Sequence, residues 1–188
     1  MHLKALATAT AALIALLDHA TCPTPADLAS GIGTKLDDGQ TEVHTSAAKD
    51  IVQVDVRYND GTNDGSVMQF GHGLYLRNVI PVEDGVLRIG QQEKYASDAT
   101  LRKWAKPEPN AAWSNTRPDG GTSQSGPMQT VQIGKCAYDG FKITISFADD
   151  PNYVEVYTYL PTLGIGLLTT IIENGDTDAY RYVSIAAK

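Results

Sequence analysis

Histidines, carboxylates and one serine-rich stretch are the groups in this chain that could carry acid–base or nucleophilic chemistry. The stretch "GTSQSG" at 121–126 has the outline of a nucleophile elbow. That motif needs Gly-x-Ser-x-Gly on a tight strand-to-helix turn. Here Ser125 holds the fifth position, Gly126 comes one residue late, and the flanks read as loop. Of four histidines, His2 and His19 fall in a segment that reads as an export signal, which leaves His44 and His72. A Ser-His-carboxylate set is recognised by geometry, and nothing in the sequence places either histidine beside such partners. His72 lies between Gly71 and Gly73, where a β-bulge with a solvated imidazole is expected.

Metal and sugar chemistry fare no better. His44, His72, Cys22 and Cys136 show none of the short ligand spacings of a zinc site. Asp60, Thr62, Asp64 and Gly65 match the early positions of a calcium loop, but Gly71 stands where the bidentate Glu belongs. A hairpin turn explains Asp64-Gly65 better. Paired carboxylates could support glycoside hydrolysis. Glu83, Asp84, Glu93 and Glu173 sit in turns or on solvated faces, and Glu155 alone is set between tyrosines. "GIG" at 31–33 lacks the lysine and helix of a phosphate loop. The expectation is a non-catalytic protein with no metal and no cofactor.

The elements that must position these residues are strands. Turn signals recur at 37–39, 59–61, 63–65, 83–85, 138–140, 149–152 and 174–176, most of them Asp-Gly or Asn-Gly. Such pairs tolerate positive φ and mark hairpins. Between them, 51–56 alternates in part, and 141–147 puts Phe141, Ile143, Ile145 and Phe147 on one face. The prediction is a mainly β, single antiparallel sheet domain, a half-barrel or sandwich, with one or two short helices. One helix starts at Pro25 with Thr24 as cap, and another spans 98–106, ended by Pro107. Residues 107–127, rich in Pro, Gly, Ser and Asn, read as a surface loop, and 129–186 as a five-strand meander.

Within that meander, "NYVEVYTYLP" alternates. Tyr153, Glu155, Tyr157 and Tyr159 point one way; Val154, Val156, Thr158 and Leu160 point the other. The valine face is expected to be core, and the tyrosine face, extended by Tyr180 and Tyr182, a wet groove or interface. The next strand, 165–172, is apolar on both faces and should be covered on both sides. "YLPTLGIGLL" followed by "YRYVSI" resembles the closing strands of exported bacterial half-barrel envelope proteins of the lipoprotein-carrier type. The resemblance covers only these C-terminal strands. It implies a curved sheet whose concave face takes acyl chains, and no functional residue is carried over from it.

The first 20 residues show the pattern of a signal peptide: Lys4, then the apolar run 5–17, then Ala20. This leaves 21–188 as one β-rich domain, periplasmic or secreted. The net charge is −7, which provides no electrostatic footprint for nucleic acid, and no later segment is apolar enough for a membrane span. Cys22 and Cys136 are expected to form a disulfide in an oxidising compartment, with a lipid-anchored Cys22 as the alternative. The functional expectation is an apolar or amphipathic ligand, lipid-like, or a partner envelope protein on the tyrosine face. The alternatives are a structural envelope protein without a ligand site and, third, a hydrolase.

Overall fold

The computed structural model describes residues 21–97, 100, 103–114 and 121–188. The segment 1–20, read from the sequence as an export signal, lies outside them, as does part of the 98–106 helix expectation. The chain is mainly β and antiparallel, as predicted, with its strands divided between two sheets; the described residues form no closed barrel.

The first sheet runs in the order β15 (Tyr182–Ala187), β1 (Ile32–Leu36), β2 (Thr41–Ala48), β3 (Ile51–Arg57), β4 (Gly65–Gly71), β5 (Tyr75–Glu83) and β6 (Val86–Leu87), with β7 (Glu93–Lys94) also on β5. The second runs β14 (Asp176–Ala179), β13 (Ile165–Glu173), β12 (Tyr153–Leu160), β11 (Cys136–Ser146), β9 (Thr122–Ser125) and β8 (Ala112–Ser114), with β10 (Gln129–Ile133) on the first half of β11. Consecutive hairpins build most of both sheets. β9 pairs with β11 and β7 with β5 across one intervening strand, and β15 makes the longest crossing: it leaves β14 to pair with β1, so it closes the first sheet. A 3-10 turn at Pro25–Ala29 starts where expected, with the Asp27 carboxylate accepting from the Thr24 amide and hydroxyl. A second occupies Ile89–Gln91.

Three local readings change. The expected turn at Tyr138–Gly140 lies inside β11. The hairpin closes instead at Gly134 and Lys135, where Gly134 has φ +56° and Ile133 pairs with Cys136. Gly134 supplies the positive φ that a two-residue turn needs. Gly140 serves close packing, since a Cβ there would lie 2.9 Å from the Tyr159 carbonyl oxygen. The 107–127 stretch carries β8 and β9, which extend the second sheet and put Trp113 opposite Ser123. His72 sits in the turn between β4 and β5 with φ +52°, not in a bulge. Its carbonyl accepts from Tyr159, so the backbone group does the structural work there.

β13 is covered on both faces, as its apolar run predicts. Ile165 and Leu167 join a core with Val52, Val54, Ile133 and Ile185. Leu168, one residue on, packs against a second core containing Phe141, Ile143, Tyr157 and Tyr159. A bulge follows: Val156 pairs with Thr170 but Tyr157 with Leu168, leaving Thr169 unpaired. An extra residue reverses the in–out alternation of the strand beyond it.

Candidate functional site

Sheet register brings two polar side chains inward on β2. Glu42 pairs with Val56 and His44 with Val54, so all four share one face. Glu42 and His44 are buried on that face, while Val43 on the opposite face is only partly buried. The usual pattern is inverted, and such violations concentrate where function demands them.

The inward carboxylate is well provided with donors. The Tyr182 hydroxyl lies 3.2 Å from both Glu42 oxygens. Thr34 Oγ1 donates to Oε2 at 3.3 Å and Gln40 Nε2 to Oε1 at 3.4 Å. His44 Nε2 is 3.3 Å from Oε2. Buried charge is tolerated when hydrogen-bonded in this way. His44 is 1 % exposed, and its Nδ1 has no partner.

These groups lie at one side of a cavity of about 330 Å³ lined from both sheets. The first sheet supplies Val54, Val56, Ser66, Met68, Phe70, Leu76 and Val79 along with Glu42 and His44; the second supplies Glu155, Tyr157, Gly166, Leu168 and, from the connection between β14 and β15, Tyr180. Its size is at the lower end for small-molecule sites, and its mix of apolar walls with a few placed polar groups is typical of them.

Of the residues singled out from the sequence, Glu155, Tyr157, Tyr180 and Tyr182 line this cavity. Tyr153 and Tyr159 do not. Tyr153 stacks on Phe147 with ring centres 5.4 Å apart and donates to Glu155 Oε1 at 3.1 Å. Tyr157 donates to Oε2 of the same carboxylate at 3.1 Å. Tyr159 is 1 % exposed, packs on Phe141, and donates to the His72 carbonyl at 3.0 Å. The tyrosine face of β12 is therefore largely interior, because its cross-strand partners are the apolar residues of β11, Phe141 and Ile143. Cys22 and Cys136 are joined, with Cα atoms 5.5 Å apart. Sulfur held in that bond is not free to carry a lipid.

Glu42 and the β4 side chains were not singled out from the sequence, and His44 was weighed there only for catalysis and zinc. A signal existed: the alternation of 42, 44 and 46 beside that of 52, 54 and 56, once a hairpin at 49–50 is assumed, places both polar residues beside the valines. Glu42, His44 and Thr34 do not form a catalytic relay. Both the Glu42 and Thr34 oxygens approach the same nitrogen of His44, whereas a relay needs carboxylate and nucleophile on opposite nitrogens. Asp60 accepts from the amide and hydroxyl of Thr62, and Asp64 from the Asp84 amide, so these carboxylates brace turns. Among the described residues no metal-ligating cluster occurs.

Burial and neighbouring acids raise several tyrosine pKa values. Desolvation, then the adjacent Glu42 carboxylate, holds Tyr182 well above its usual range. Burial, helped by Asp50, moves Tyr159 from 10.0 to about 12. A raised pKa means the unfolded chain ionises first, so stability is intact below pH 10 and falls as pH rises from there through about 12. Tyr159 alone contributes about 2–3 kcal/mol across that window. Alkaline titration should show a fraction of tyrosinate absorbance appearing together with loss of β circular dichroism. Full ionisation with structure retained would contradict the burial.

Fold and cavity define the class: an antiparallel two-sheet protein, disulfide-bonded, with a tyrosine- and carboxylate-edged cavity between its sheets. No family model matches the chain, and neither does a curated protein or a solved structure.

Proposed function

We propose that this is an exported, non-catalytic protein that binds an apolar or amphipathic small molecule between its sheets. The observation that carries the reading is the cavity itself: an apolar chamber reaching from Val54 and Met68 to Leu168, with its polar groups gathered around Glu42 and near Glu155. Its largely apolar walls with a few placed polar groups are the mix found in small-molecule sites. Export is supported by the signal-like segment 1–20 and by the disulfide, which suits an oxidising compartment. The likeness of the C-terminal strands to lipoprotein-carrier-type half-barrels points the same way.

The test fills the chamber. Met68→Trp puts an indole into the space that the ligand would occupy. A neutral apolar fluorophore such as N-phenyl-1-naphthylamine should bind the native protein and lose at least tenfold in affinity in the variant. Native mass spectrometry of protein taken from its own envelope should show a bound small molecule lost in Met68→Trp. Equal fluorophore binding by both proteins would put the ligand elsewhere.

A further inference from the structure

The polar side of the cavity is specific about what it can accept. A carboxylate only accepts hydrogen bonds, so the hydrogen between Glu42 and His44 belongs to Nε2. The other ring nitrogen, Nδ1, is buried without a partner. The Thr34, Gln40 and Tyr182 donors point at Glu42, while the hydroxyls of Tyr58, Ser66 and Tyr180 also line the cavity. Two carboxylates, Glu42 and Glu155, share that lining with four tyrosines, 58, 157, 180 and 182. Among the described residues no Lys or Arg lines the cavity.

A cation is favoured by the Glu42 and Glu155 carboxylates and by aromatic faces, which attract ammonium groups through their quadrupoles. The chain's net charge of −7 raises the local concentration of such ligands. A carboxylate head would meet the like charges of Glu42 and Glu155.

Resting on the ligand-binding reading above, we propose that the ligand is a cationic amphiphile: a protonated amine drawn to the Glu42 and Glu155 carboxylates and the tyrosine rings of the cavity, carrying an apolar tail toward Met68, Val79 and Leu168. A fatty acid, the ligand that the carrier resemblance would suggest, is the wrong charge.

Calorimetric titration of the intact, oxidised protein with n-octylamine, n-octanol and n-octanoate at neutral pH separates the cases. The tail is constant and only the head changes. Octylamine should bind at least tenfold more tightly than octanol, and octanoate most weakly. In Glu42→Gln, checked for native near-ultraviolet circular dichroism, the ratio of amine to alcohol affinity should drop to about one. Equal affinities in the native protein, or a preference for octanoate, would overturn the cationic head while leaving the apolar site intact. Binding of none of the three would overturn the site itself. The comparison on the native protein decides the matter even if Glu42→Gln does not fold.

Discussion

Replacing Cys22 and Cys136 together by alanine lowers the free energy of unfolding by about 4–5 kcal/mol. The bond spans 114 residues of sequence, so its loss releases a large loop in the unfolded chain. In the chain-entropy account the effect grows with the logarithm of loop length. The position matters as well. Cys22 precedes β1 of the first sheet, and Cys136 begins β11 of the second, 1 % exposed in the core. The bond therefore fastens one sheet to the other at the N-terminal side, as β15 does at the C-terminal side. The two ties are independent, so the reduced protein keeps its β15–β1 pairing and should remain folded but weakened. Urea denaturation of the double variant, and of the native protein with and without reductant, checks this. Coincident midpoints would mean that the bond contributes nothing, and peptide mapping without reduction would then be expected to show free thiols.

The second large effect is at Tyr159. Truncation to alanine should cost about 3–5 kcal/mol, the range for emptying a buried aromatic site. Sequence alternation alone puts this ring on an open face, where its loss would weaken binding and spare the fold. The structure reverses that expectation. The ring centre lies 5.5 Å from that of Phe141, and the hydroxyl holds the His72 carbonyl in the turn between β4 and β5. Tyr159→Phe isolates the hydrogen bond and should cost about 1–2 kcal/mol, including the orphaned carbonyl. Tyr157, 8 % exposed, sits between the cases: it belongs to the same core and also lines the cavity. Tyr157→Phe should thus lower ligand affinity as well as removing a hydrogen bond to Glu155, whereas Tyr159→Phe should lower stability and leave ligand affinity unchanged. A urea midpoint unchanged in Tyr159→Ala would return that ring to the surface.

Both effects depend on connections that join distant parts of the chain, and the same is true of the site. The Tyr182 hydroxyl and Glu42 are 140 residues apart in sequence yet within 3.2 Å in space. Tyr138 donates to the Pro23 carbonyl across 115 residues. Nothing local in "YRYVSI" announces that its first strand residues will cross to β1 and present a hydroxyl to β2.

What the residues determined by themselves is local. Alternation in 51–56 and 141–147 and the Asp-Gly and Asn-Gly turns specified antiparallel strands, because a pleated strand shows its side chains with period two and a tight turn needs residues that tolerate positive φ. The continuous apolar run of β13 showed a strand covered on both faces. The cysteine pair in a chain with an export-type segment indicated the disulfide. The tertiary structure alone decided which side of each strand is inside. Alternation divides residues into two faces but does not say what covers either, and that depends on how one sheet packs on the other. For β12 the packing buried the tyrosines. For β2 it turned the glutamate and histidine inward and left a valine outward, because β1 and β3 had already set the register on either side. The cavity exists only where those two outcomes meet.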